Sequence, residues 1–201
     1  MNEQRDAGGP TIAEEFAWAR ELSLGGLFIA LGVVIPIAFH ALGGGRLGPV
    51  FLPMYLPVLV CGMLVSPGTA AAVGVLTPVL SSALTGMPPV LPTLPLMVAE
   101  LGVMGVVASV LHRRARLPAL LATPITLMVG RAVLGLCVLG AVSLLPPDLL
   151  ASLPSPMRRP LAYLLAATVT ALPGLALQLI AVPAVVALVE RRPTAPSAMG
   201  D

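Results

Sequence analysis

Few side chains in this sequence could do chemistry, and their positions single them out. His40, Arg46 and Tyr55 fall in FHALGGGRLGPVFLPMYLP, residues 39–57, where a Gly-rich hinge joins two apolar runs and Pro53 and Pro57 interrupt the second. Glu100 and Arg131 each lie inside a further apolar run. An imidazole, a phenol, a carboxylate and two guanidiniums can hydrogen-bond a polar solute, or one another. At bilayer depth an ionised side chain costs about 2.5–3.5 kcal/mol on insertion scales, so each charge there needs either a solute or a structural partner. Two readings of Glu100 and Arg131 follow: they line a site, or they form an ion pair that ties two helices together.

The elements that must position these groups are membrane helices. Of 201 residues, 57% are hydrophobic and 10% are charged, against about 25% charged in a soluble domain; mean hydropathy is +0.99. The apolar runs are long and continuous, unlike the alternating pieces of about ten residues in a barrel strand. The fold class predicted is therefore all-α: a polytopic membrane protein of six transmembrane helices, with proline-kinked spans and Gly/Pro-rich loops. The spans fall at about 22–42, 49–65, 69–86, 93–112, 117–144 and 160–190, each near the roughly 20 residues that cross hydrocarbon. Ser66-Pro67-Gly68 separates the second from the third, either as a tight turn or as a break in one longer helical unit. Residues 1–20 form a polar N-terminal segment in which TIAEEFAWARE reads as an interfacial amphipathic helix anchored by Trp18. Residues 21–190 form the membrane domain and 191–201 a tail.

Prolines 36, 53, 57, 78, 124, 173 and 183 fall within the spans. Each removes a backbone hydrogen bond and tends to kink its helix, which leaves room between helices. Glu100 sits about 10 Å below the nearer end of its span at about 1.5 Å per residue. Arg131, near the middle of a long fifth span, can snorkel outward. Gln178, deeper in the sixth, suits an interhelical hydrogen bond. On the first span, Gly26 and Ala30 make a small-xxx-small pair that lets another helix approach closely, either a partner's or one of this chain.

Several functions are excluded by what is missing. Lysine is absent, so there is no Walker A loop and no Schiff base. There is no HExxH, no GxSxG and no His/Asp/Glu metal cluster, and His40 and His112 fall near opposite membrane faces. No catalytic residue, metal or cofactor is expected. Glu14, Glu15 and Arg20 approach the EExxxR pattern of membrane proteases, but one residue too long and outside a span. Cys61 and Cys137 read as unpaired packing thiols. The arginines at span ends reflect topology rather than nucleic-acid binding. Arg5, Arg20, Arg113, Arg114, Arg116, Arg191 and Arg192 share one side, against Arg46, Arg158 and Arg159 on the other, so the positive-inside rule places both termini in the cytoplasm.

The residues 39–102, a hinge followed by a PMxxPV-like segment, a TGMPP loop and a glutamate-bearing span, resemble the substrate-binding S components of energy-coupling factor (ECF) vitamin transporters. The similarity extends over roughly residues 20–190. It implies an outward pocket that binds a vitamin-like molecule, with His40, Arg46, Tyr55, Thr85, Glu100 and Arg131 as candidate contacts. It also implies a membrane coupling protein and two ABC ATPases as partners. Gly26 and Ala30 would take the place of that family's AxxxA docking face, and hydrolysis would be the partners' task, in keeping with the missing Walker A loop. The alternative is a stand-alone small carrier or structural membrane subunit with a Glu100–Arg131 ion pair.

Overall fold

In the computed structural model, residues 12–43, 47–144 and 153–190 are described, with 146, 148 and 150 between the last two. The α-helices whose bounds lie among the described residues are, in order, α1 (Ile12–Gly43), α2 (Leu47–Phe51), α3 (Tyr55–Leu64), α4 (Pro67–Thr85), α5 (Thr93–Ser109), α6 (Ala119–Leu144), α7 (Pro160–Thr170) and α8 (Leu172–Glu190). The described residues contain no strand. Among the described residues, six segments are long and apolar enough to cross a membrane: Glu14–Phe39, Leu47–Leu64, Pro67–Thr85, Thr93–Arg114, Ala119–Leu144 and Leu172–Glu190.

The central helix is α3, whose residues are buried except Leu56. Small residues bring its neighbours close. A Cβ at Gly74 of α4 would strike the Leu101 carbonyl, and one at Gly105 of α5 would strike that of Ala70. At Gly62 of α3 it would lie 2.9 Å from the Gly105 carbonyl. Without a hydrophobic drive between helices in lipid, such backbone approach is what packing rests on. The outer faces of α1, α4, α6 and α8 carry exposed leucine, valine and isoleucine, as a lipid-facing surface should.

The 66–68 connection is a turn, since Tyr55 at the start of α3 and Ser81 near the end of α4 line the same cavity. At this turn Glu21 of α1 accepts from Ser66 N at 2.9 Å, Ser66 Oγ at 2.5 Å and Thr69 Oγ1 at 2.7 Å. The carboxylate thereby caps α4 from a different helix, at the end where the dipole favours negative charge. Arg113 reaches the same carboxylate at 3.3 Å from a π-helical turn, Val110–Arg114, that continues α5. His112 in that turn lies 2.8 Å from both the Leu117 carbonyl and Glu190 at the end of α8. Glu21, Ser66, Arg113 and Glu190 thus mark one end of the bundle, here called the termini end.

Two boundaries differ from the sequence reading. The last apolar stretch is two helices, because Pro173 cannot donate to the chain one turn back and α7 closes at Ala171. At the other extreme, α1 runs through position 20 without a break, so residues 12–20 continue the first span's helix. Residues 1–11 and 191–201, which hold the rest of the N-terminal segment and the tail, lie outside the described residues.

Candidate functional site

At the end opposite the termini, the chain makes a corner. Leu52, between α2 and α3, adopts φ 47°, a left-handed conformation that a leucine needs surroundings to hold. The surroundings come from α8. Gln178 Nε2 donates to the Leu52 carbonyl at 3.1 Å. Gly174 lets α8 pass the corner, where an added Cβ would fall 2.8 Å from Phe51 Cα. The rings of Phe39 and Phe51, with centroids 5.8 Å apart, tie the end of α1 to α2.

From this corner α3 sends Tyr55 into the bundle, where it is 2% exposed. Its hydroxyl donates to Glu100 Oε2 of α5 at 2.5 Å and accepts from Arg131 Nη2 of α6 at 2.7 Å. The same nitrogen donates to Glu100 Oε1, closing an ion pair. The guanidinium carbon also lies 5.4 Å from the centre of the Tyr55 ring, within cation–π range. Gly130 makes this reach possible, because a Cβ there would meet the Met104 side chain and come 3.5 Å from Glu100 Oε1. Three groups at positions 55, 100 and 131 are thereby joined at membrane depth.

Above them lies a cavity of about 590 Å³, inside the range of roughly 300–1,000 Å³ typical of small-molecule sites. Its wall is mostly aliphatic, built by prolines 36, 49, 53, 88, 89 and 156 with Leu52, Leu96, Leu134 and methionines 54, 87 and 97. Tyr163, Ala166, Ala167 and Thr170 of α7 close one side. The 86–92 loop overhangs it. Ser81 Oγ donates to the Met87 carbonyl at 2.8 Å and Ser82 Oγ to that of Pro88 at 2.7 Å, so α4 side chains supply donors to a loop whose prolines have none.

Of the residues expected at the site, Tyr55, Glu100 and Arg131 come together under the cavity. The expected snorkelling of Arg131 does not occur, because the carboxylate and the phenol draw it inward and leave its side chain 14% exposed. Thr85 is exposed at the end of α4 and its hydroxyl bonds Ser81 O at 2.7 Å and the Met87 backbone at 3.2 Å, so it shapes the loop rather than the cavity wall. The His40 side chain and all of Arg46 lie outside the described residues. Gly26 and Ala30 are exposed, and a Cβ at Gly26 would meet nothing within 4 Å. Inward packing of α1 falls instead to Gly25, against Thr69 and Val73, and Gly32, against Thr77. Both cysteines are free, and no cluster of three metal-ligating side chains occurs among the described residues. The sequence reading missed Gly130, Tyr163 and Pro156; a glycine beside an intramembrane arginine was the available signal for the first.

A family model described as ECF transporter, substrate-specific component, matches residues 20–186. No curated protein and no solved structure matches the chain.

Proposed function

We propose, for a chain that belongs to the ECF transporter substrate-specific components, that the 590 Å³ cavity over Tyr55, Glu100 and Arg131 captures a small vitamin or vitamin precursor. Membership makes the chain a substrate-specific membrane subunit of a transporter. The proposal adds the place and direction of binding. The cavity faces outward, both termini are cytoplasmic, and a membrane coupling protein with two ABC ATPases takes the loaded subunit inward. Support for direction comes from the arginine asymmetry. Support for docking comes from the exposed Gly26–Ala30 face of α1, which leaves room for a partner helix. Arg46 and the His40 side chain lie outside the described residues, so the proposed site rests on Tyr55, Glu100 and Arg131.

The observation that carries the reading is the buried polar triad beneath an aliphatic cavity, a few convergent polar groups in an otherwise apolar pocket. Glu100→Gln keeps the volume and removes the charge. Calorimetry on the variant should show affinity for the co-purified ligand reduced by about 1.5–3 kcal/mol, roughly tenfold or more. Unchanged affinity with a lowered melting temperature would take Glu100 out of the site. For direction, Gly44→Cys should react with an impermeant thiol reagent in intact cells and Ala198→Cys should not. For docking, Gly26→Leu with Ala30→Leu should lower recovery of the partners and spare ligand binding.

The observed Arg131–Glu100 contact also favours a second reading, in which the pair only joins α5 to α6 in a stand-alone carrier or structural subunit. Uptake that needs a proton gradient and no ATPases would support it.

A further inference from the structure

Three properties of the cavity restrict what it can hold. Among the described lining residues the aromatic side chains are Tyr55 and Tyr163, and Tyr55 is sealed at 2% exposure with its hydroxyl already bonded on both sides. Apart from Gly48, Glu100 and Arg131, the other described lining residues are proline, methionine, leucine and alanine, with Ser81, Thr93 and Thr170 as the small polar groups. Such a wall offers many C–H contacts and no pair of rings to sandwich a flat heteroaromatic system. It fits a body that is largely saturated.

The second property is charge. Among the described lining residues the charged ones are Glu100 and Arg131, which cancel each other in direct contact. A carboxylate ligand would leave the site with a net negative charge at membrane depth, and an ammonium ligand with a net positive one, each at a desolvation cost. An uncharged head carries no such penalty.

The third is which member of the triad is approachable. Both Glu100 oxygens already accept a proton donor, and the side chain is 2% exposed. Arg131 is 14% exposed, and it serves both of its partners through one nitrogen, Nη2, out of the five N–H donors that a guanidinium carries. Donors are therefore what the triad has to spare, and a ligand oxygen is what they would meet.

Resting on the substrate-capture reading above, we infer that the site selects an uncharged molecule with a saturated body and an amide- or ureide-type carbonyl head. The head oxygen accepts from Arg131, while Glu100 and Tyr55 act as positioning residues that hold the guanidinium in place and neutralise it.

The test uses probes that share one body and differ in the head: cyclohexanebutanamide, cyclohexanebutyrate and cyclohexanebutylamine, with lumichrome as a flat carbonyl-bearing comparator. Binding is measured by calorimetry on the full chain in lipid nanodiscs at neutral pH. The amide should bind at least about tenfold more tightly than the carboxylate and the amine, and more tightly than lumichrome. In the charge-balanced variant Glu100→Gln/Arg131→Gln, which leaves no unpaired charge behind, the amide's advantage over the amine should fall to within about threefold. Preference for the carboxylate, the amine or lumichrome overturns the substrate class, as does failure of all three cyclohexane probes to bind. A double variant that keeps the full discrimination overturns the role of Arg131. Recovery of the coupling protein and ATPases is scored on the same preparation. Its loss strikes the importer reading, whereas a wrong probe preference with recovery intact strikes only the substrate class.

Discussion

The chain builds the same chemical unit twice, a carboxylate held by hydroxyl and arginine donors, and sets it in different surroundings at its two ends. At the termini end Glu21 accepts four hydrogen bonds, from Ser66 N, Ser66 Oγ, Thr69 Oγ1 and Arg113. Its arginine is 41% exposed and the carboxylate 25%. Under the cavity, Glu100 accepts from Tyr55 and Arg131, and the two charged side chains are 2% and 14% exposed. The first unit sits where water screens it, and its donors are mostly short groups on an adjacent turn. The second is assembled from three helices at depth and adjoins an open cavity. A saturated, screened carboxylate is a helix cap. A buried pair with donors to spare beside a cavity is the arrangement on which the proposed site rests.

This contrast predicts unequal costs. The largest belongs to the buried pair. Arg131→Ala strands the Glu100 carboxylate among apolar walls, and removing one partner of a buried pair costs roughly 3–5 kcal/mol. Thermal or denaturant unfolding in detergent should show a strong loss. Glu100→Gln/Arg131→Gln should regain most of it, because no uncompensated charge remains. If the single and double variants are equally unstable, the pair contributes through shape rather than charge and the contrast with the termini end collapses.

Next comes Glu21→Ala. Its hydrogen bonds are charge-assisted but partly solvated, so the loss should resemble that of a good N-cap, about 1 kcal/mol and no more than about 2. Ligand affinity should stay within about twofold, since the cap lies at the opposite end of the bundle from the cavity. A large affinity change would mean that the two ends are coupled and the cap does more than finish α4.

How far these two units were legible in the sequence follows from how each is built. Six spans could be read from hydropathy because lipid-facing helices must be apolar on nearly every side, and observed bounds such as Leu47–Leu64 and Ala119–Leu144 lie within a few residues of expectation. Glu100 and Arg131 were conspicuous because a charge in an apolar run has few explanations. Tyr55 was grouped with the hinge; that it joins the pair follows from the Leu52 corner and from Gly130, which are tertiary facts. The α7–α8 break was hidden because Pro173 can either kink a helix or end it, and packing decides which. The Glu21 cap escaped entirely. A glutamate in a polar, juxtamembrane stretch looks solvated until the Ser66 turn is folded against it.

A smaller effect is expected at Gln178, another buried polar side chain. Its Nε2 holds the Leu52 carbonyl, but its Oε1 is buried without a hydrogen-bond partner among the described residues. Gln178→Met removes an unsatisfied acceptor and orphans another, two terms of similar size and opposite sign. Stability should change by less than about 1 kcal/mol. The corner that delivers Tyr55 loses its tie, however, so ligand affinity should fall by about threefold to tenfold. An unaltered affinity would show that Gly174 packing alone sets the corner.

The smallest effect is at Arg113, and it tests the comparison most finely because Arg113 is the counterpart of Arg131. The Arg113–Glu21 contact is 3.3 Å long and well exposed. An exposed ion pair gives a median of about 0–1 kcal/mol, reduced further by salt. Arg113→Gln leaves Glu21 with Ser66 and Thr69, three of its four hydrogen bonds, so no charge is stranded. The expected loss is below about 0.5 kcal/mol at low salt and should fade as ionic strength rises through about 0.15 M, where the Debye length is near 8 Å. Arg131→Gln should show no such fading, since burial shields its pair from added ions. Paired melting curves at low and high salt would read both variants. If Arg113→Gln proves as costly as Arg131→Gln and equally indifferent to salt, burial is not what separates the two carboxylates.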